Sequence, residues 1–177
     1  MIGPGAAVPW FAPGVAISVG LAVALARPLA SAVSARPAVA GLLVLAVGTI
    51  LAATLTPIGG TFEQATPIAA SCDLRRTWPA PPSVLLRDGD AGLNVALFVP
   101  LGIGVALVPA SRLARLLLPA IALPFLVEGA QLALPFLGRG CESADVTDNL
   151  TGLSIGIGAA LGVGLPARVG RRGTGRI

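Results

Sequence analysis

"LLLPAIALPFLVEGAQLALPF", residues 116 to 136, is a run of 21 residues with a single charge, Glu128. A helix of that length spans roughly 30 Å, the thickness of a bilayer's hydrocarbon core. Pro119 and Pro124 would break a helix in water, but a membrane bundle tolerates them because neighbouring groups satisfy the freed carbonyls. The stretch therefore reads as a transmembrane helix. A carboxylate inside it needs a partner or a purpose, because an ionised side chain at membrane depth costs about 3 kcal/mol or more.

Outward from this block lie four more apolar stretches, Pro9 to Ala26, Ala38 to Leu55, Leu93 to Ala110 and Leu150 to Leu165. Composition agrees with them: of 177 residues 55% are hydrophobic and 11% charged, and the mean hydropathy is +0.88. A water-soluble domain of this size rarely reaches such values. The expectation is an all-α, polytopic transmembrane helical bundle of about five helices, a single domain over the whole chain. The first block is expected to be retained rather than cleaved as a signal, because residues 1–26 place no Lys or Arg before the apolar core.

All twelve basic residues are Arg. Arg27 and Arg36 fall between blocks one and two, Arg112 and Arg115 between three and four, and Arg168, Arg171, Arg172 and Arg176 after block five, with no acid in these intervals. The alternate intervals hold Arg75, Arg76, Arg87 and Arg139 together with Glu63, Asp73, Asp88, Asp90, Glu142, Asp145 and Asp148. The positive-inside rule then puts the N-terminus outside and the C-terminus in the cytoplasm. The net charge of +4 orients helices and meets anionic membrane lipids, and with no basic surface interleaved with aromatics, nucleic acid is not an expected partner.

The same partition assigns Cys72, in the loop of residues 56–92, and Cys141, in the loop after block four, to the outer side. That compartment is oxidising, so a Cys72–Cys141 disulfide tying the long loop over the short one is expected. Two Cys and no His do not make a structural zinc site, and no metal or other cofactor is expected. The long loop, with "WPAPP" and "RDGDAG", reads as turns and extended chain, and Trp78 suits the bilayer surface.

Polar residues converge on the outer layer. Glu128 and Gln131 share one helix face, roughly 10 to 12 Å below its outer end. Asn94 opens block three, Arg139 follows block four, and Asp145, Asp148 and Asn149 lead into block five. Structural roles compete at each position. Arg139 could pair with Asp145 or Glu142 to fix the turn, Asp148 or Asn149 could cap the last helix, Glu128 could bond Gln131 or a neighbouring helix, and Asn94 could cap or bridge helices. Gly152, Gly156, Ala160 and Gly164, at spacing four, read as a close helix-packing face, either internal or between subunits. A phosphate loop is excluded by the absence of Lys and a Ser-His-Asp triad by the absence of His.

"NVALFVPLG" (94–102), "EGAQ" (128–131) and "RGCESADVTDNLTG" (139–152), in that order, resemble the VanZ-like membrane proteins. Their pattern runs Asn, Pro-Leu-Gly, Glu-x-x-Gln, Arg, then Asp with Asn four residues on, and Gly. Asn94, Pro100, Gly102, Glu128, Gln131, Arg139, Asp145, Asn149 and Gly152 match it, within residues 38–165. Cys141 and Glu142 depart from it, since members often carry an Asp soon after the Arg, and Asp148 is an added acid. The resemblance implies a multi-pass protein of the bacterial cell membrane, in a family whose founding member is associated with low-level teicoplanin resistance.

On this reading Asn94, Glu128, Gln131, Arg139, Asp145 and Asn149 form an outer pocket for the polar head of a lipid-linked or glycopeptide-type ligand, with Arg139 as a fork on phosphate or carboxylate. The alternative is a membrane hydrolase or transferase acting on a lipid-linked phosphate, with Glu128 or Asp145 as general acid or base. A divalent metal on Asp145, Asp148 and Glu142 is a weaker variant of that alternative. A proton-linked carrier ranks last, because no internal repeat and no polar path toward the cytoplasmic side are visible.

Overall fold

The computed structural model describes residues 9–58, 71–85 and 89–163. The sequence readings at Glu63, Arg87, Asp88, Gly164, Leu165 and the tail residues Arg168, Arg171, Arg172 and Arg176 lie outside the described residues. In chain order the elements are α1 (Phe11–Val33), α2 (Pro37–Thr54), β1 (Cys72–Asp73), α3 (Pro82–Leu85), α4 (Gly89–Ala106), α5 (Ala110–Ala133), β2 (Cys141–Glu142) and α6 (Ser143–Gly162). The fold is an all-α bundle, and α1, α2, α4 and α5 are each long and apolar enough to cross a membrane. The 20-residue α6 completes the five long helices.

Three local features differ from expectation. The short helix α3 stands where turns and extended chain are predicted, and Pro82 opens it with a φ already suited to a first turn. Helix α1 continues past Ala26, through Arg27 and Pro28, to Val33. Helix α6 begins at Ser143 rather than near Leu150, so Asp145, Asp148 and Asn149 stand on its first turns instead of in a loop. A hydropathy pattern misses polar turns, whose helicity rests on tertiary burial.

Small residues set how the helices meet. Helices α1 and α2 form an antiparallel hairpin in which Gly14 lies against Ala52 and Gly48 against Ser18, with no room for a Cβ. The buried Ser18 hydroxyl is satisfied within its own helix, donating to the Gly14 carbonyl at 2.7 Å. Helices α4 and α6 run parallel and touch backbone to backbone. A Cβ on Gly152 would overlap the Val95 carbonyl, one on Gly156 the Val99 carbonyl, and one on Gly102 the Leu153 carbonyl. The small-residue face of α6 is thus an internal contact, extended by the buried Ala160.

The core lies between these pairs, from Ala46 and Ile50 of α2, Phe98, Leu101 and Val105 of α4, Ala120 and Val127 of α5, and Leu153 of α6. Large apolar side chains such as Ile17, Val23, Leu118 and Leu126 point outward, which suits a lipid environment rather than water. Gly104, near the end of α4, faces Leu43, near the start of α2, so these helices are antiparallel. The turns after α1 and α4, with Arg27, Arg36, Arg112 and Arg115 in or beside them, therefore share one end of the bundle. The opposite end gathers the C-terminus of α2, the C-terminus of α5, the N-terminus of α6 and both strands. That is the polar end.

Candidate functional site

Helix α5 carries Glu128 and Gln131 into the polar end, each 5% exposed. They share a face, as a spacing of three requires, but they do not bond each other. Gln131 Nε2 donates to the Thr54 carbonyl at 3.1 Å. Glu128 Oε2 accepts the Glu142 backbone amide at 2.8 Å. The last carbonyls of a helix lack intrahelical partners, and the frayed end of α2 supplies acceptors to two side chains from distant parts of the chain.

The second of these is Arg139. After α5 a single 3-10 turn, Pro135–Leu137, and Gly138 in the left-handed region (φ 68°) fold the chain back over the bundle. The Ile58 amide donates to the Leu137 carbonyl at 3.0 Å and holds this turn in place. Arg139 Nε then donates to the Thr56 carbonyl at 3.0 Å. The expected ion pair with Asp145 or Glu142 is replaced by this backbone contact. Burial lowers the proton affinity of the Arg139 guanidinium, and the nearby Asp145 and Glu128 carboxylates oppose that shift. Glu128, Arg139 and Asp145 thus lie within electrostatic range of one another.

On α6, Asp145 is half-buried, whereas Asp148 and Asn149 are 0% and 1% exposed. Neither caps the helix: its preceding residue is Glu142, with no side-chain cap bond. Asp148 instead takes a bidentate pair from Arg76, Nη1 to Oδ1 at 2.9 Å and Nη2 to Oδ2 at 2.6 Å, with the Ala80 amide at 3.4 Å from Oδ1. Sequence reasoning missed this partnership. The one available signal was the added acid at position 148. Asn94, half-buried on the second turn of α4, is not a cap and stands outside the hydrogen-bonded set.

Residues 71–85 form a strap across the polar end. Cys72 and Cys141 are disulfide-bonded, as expected, with their Cα atoms 4.5 Å apart. Strands β1 and β2 pair in parallel, Cys72 with Cys141 and Asp73 with Glu142. The Ser143 hydroxyl lies 2.8 Å from the Arg76 carbonyl and 3.1 Å from that of Asp73. On the strap's exposed side the Arg75 guanidinium bonds Asp73, Nε to Oδ2 at 2.8 Å, and this hydrogen bond holds the Asp73 carboxyl at about 2. Trp78 is 60% exposed.

Among the described residues, three buried side-chain atoms at the polar end have no hydrogen-bond partner: Gln131 Oε1, Arg139 Nη2 and Asn149 Oδ1. Nearly all buried polar atoms in folded proteins are paired, so three orphans in one layer call for an explanation. All three belong to residues singled out from the sequence. They comprise one cationic donor and two amide acceptors, and the Glu128 and Asp145 carboxylates lie within electrostatic range of Arg139. Among the described residues, no three His, Cys, Asp or Glu side chains cluster as a metal site.

A family profile described as VanZ/LLP1 matches residues 38–164, from α2 through the end of α6, and so contains every residue of this cluster. No curated protein and no solved structure matches the chain.

Proposed function

The chain belongs to the VanZ family, matched over more than two thirds of its length, and from that premise we propose that it holds the polar head of a lipid-linked or glycopeptide-type ligand at the outer end of a multi-pass bundle in the bacterial cell membrane. The observation that carries this reading is the trio of unpaired buried atoms, Gln131 Oε1, Arg139 Nη2 and Asn149 Oδ1. Each unmade bond costs about 1 to 3 kcal/mol, and a ligand that completes all three recovers that cost on binding. Their chemistry limits what fits. Arg139 Nη2 seeks an anionic acceptor, a phosphate or carboxylate, and the two amide oxygens seek N–H or O–H donors. A peptide carboxylate beside its own amides, or a phosphate beside sugar hydroxyls, supplies both; a bare phosphate supplies only the first.

The sidedness of the bundle supports the same orientation. Arg27, Arg36, Arg112 and Arg115 share the end opposite the cluster, as cytoplasmic turns do under the positive-inside rule. The N-terminus is then outside and the cluster faces the envelope. Glu128 favours holding over turnover, because one of its oxygens already fixes the Glu142 amide. A link to glycopeptide resistance would run through this ligand, as capture either of the antibiotic or of its lipid-linked target.

Native mass spectrometry of the protein extracted with its lipids tests the proposal. Wild type is expected to retain a head-group-bearing species, and Arg139→Ala to lose it by about 10- to 100-fold, the equivalent of one charged hydrogen bond. Because Arg139 also braces Thr56, Asn149→Ala serves as the second variant. An empty wild-type protein, or unchanged occupancy in both variants, overturns the reading.

A further inference from the structure

A groove runs along the α1–α2 hairpin toward the end of the bundle opposite the polar cluster. Val19, Ala22 and Arg27 of α1 and Pro37, Gly41 and Leu45 of α2 line it, and the other residues around it belong to the same two helices. Gly41 lies against Ala22 and Ala26, and Gly48 against Ser18. In this antiparallel pair the groove therefore runs from Val19 and Leu45, at mid-helix, to Arg27 and Pro37, roughly 12 Å at 1.5 Å per residue. Its volume is about 730 Å³, within the range of cavities that hold small molecules.

Short side chains make this space. A Cβ on Gly41 would meet the Ala22 carbonyl and the Ala26 Cβ at 3.6 Å, an ordinary van der Waals distance, so the contact between the helices does not require glycine there. The hairpin closes instead on Gly14 and Gly48, where a Cβ would collide with Ala52 and Ser18. On the other face of α2, Leu43 meets Gly104 of α4, so the groove opens away from the core. For a spanning helix pair that direction is the acyl-chain layer.

The mouth of the groove is cationic. Arg27 stands six residues before Val33, the end of α1, or about 9 Å along the axis. It is exposed, as is Arg36, which immediately precedes Pro37. Among the described residues neither joins an ion pair, and the carboxylates all lie toward the opposite end. An arginine at this depth reaches the head-group layer by laying its aliphatic stem along apolar surface, and its planar fork fits a phosphate.

We propose that the groove binds an anionic phospholipid of the adjoining leaflet, with one acyl chain along Ala22 and Gly41 and the phosphate held by Arg27, Arg36 flanking it. Charge complementarity selects this occupant. A choline head brings its own cation to the phosphate, whereas an anionic head leaves the arginines its full charge. A second copy of the hairpin, docked symmetrically, would bring like arginines to the same mouth and be opposed by them. The site is separate from the polar end and does not depend on the ligand proposed there.

Native mass spectrometry of the delipidated full chain in detergent, titrated with dioleoylphosphatidylglycerol or dioleoylphosphatidylcholine, tests the site. Wild type is expected to bind the first phosphatidylglycerol on the order of fivefold more tightly than phosphatidylcholine, the preference one arginine gives at an anionic membrane surface. Arg27→Gln should erase that preference, and Gly41→Leu, which fills the groove, should weaken both lipids. Arg115→Gln, at the same end but on α5 and outside the groove, should leave the preference intact. Equal affinity for the two lipids in wild type, or a preference that survives Arg27→Gln, overturns the proposal. An equal loss in Arg115→Gln also overturns it, because the attraction would then be diffuse. So does a wild-type dimer that Gly41→Leu dissociates, since a second copy would then fill the groove. Arg27→Gln alters an exposed side chain, so its result decides even where Gly41→Leu does not fold.

Discussion

Replacing Arg76 with Met should be among the most damaging single changes in the strap. The Asp148 side chain is 0% exposed and that of Arg76 27%. Loss of the guanidinium strands a carboxylate whose remaining contact is the Ala80 amide at 3.4 Å. Breaking a buried ion pair from one side costs about 3 to 5 kcal/mol, whereas replacing both members with apolar groups of similar volume is often neutral. For a chain of this size that cost corresponds to a fall in Tm of roughly 6 to 20 °C. The reverse single, Asp148→Leu, should cost less, because the partly exposed Arg76 can turn toward water. The double variant Arg76→Met with Asp148→Leu should recover most of the loss, with a coupling of about 2 kcal/mol or more between the sites. Thermal unfolding of all four proteins, followed by tryptophan fluorescence in one detergent, closes the cycle. A double variant no more stable than Arg76→Met, or an Arg76→Met protein that melts with wild type, would show that the pair is not desolvated as described.

Two further outcomes follow from other parts of the structure. Gly152→Leu places a side chain against the rigid Val95 carbonyl and should abolish monodisperse protein in size-exclusion chromatography, whereas Gly158→Ala, which meets open space, should stay within about 0.5 kcal/mol of wild type; equal yields of the two would contradict the backbone contact between α4 and α6. Asp73 is held at about 2, below its ordinary 3.8, by Arg75, so its stabilising effect is present above pH 3.8 and lost as pH falls through 2. Arg75→Gln should remove that small surface contribution, leaving melting curves that differ at neutral pH and merge in strong acid. A difference that widens in acid would refute this assignment.

The cluster gains meaning from how its members are satisfied. Gln131 and Arg139 bond backbone carbonyls at the end of α2, and Glu128 bonds a backbone amide beside the disulfide. Each uses part of its hydrogen-bonding capacity to hold the polar end together. What Gln131 and Arg139 leave over, together with Asn149 Oδ1, faces inward without a partner. On the function proposed above, side chains fixed in this way would meet a ligand already in place, because the entropy of placing them is lost on folding rather than on binding.

Much of this was legible in the residues alone. The apolar runs located five long helices, because insertion in oil depends on local composition and length. Glu128 and Gln131 stood out because polar groups in such runs demand partners, and the disulfide was foreseeable once the Arg distribution placed both cysteines on one side. The polar start of α6 was hidden, because its turns carry no hydropathy signal. The partner of Arg139 was hidden too, since a backbone carbonyl has no identity in a sequence. Arg76 was one of several arginines facing several acids, 72 positions from the one it meets.

Composition and order therefore determined the class of protein, the number of long helices and the gathering of polar groups at one end. The tertiary structure alone decided which of those groups meet and which are left without partners. Such pairings depend on the rotation of each helix about its axis and on the path of the strap. In this chain the rotation is set by glycines that bring α4 and α6 into backbone contact, and the path by a bond between two cysteines 69 residues apart.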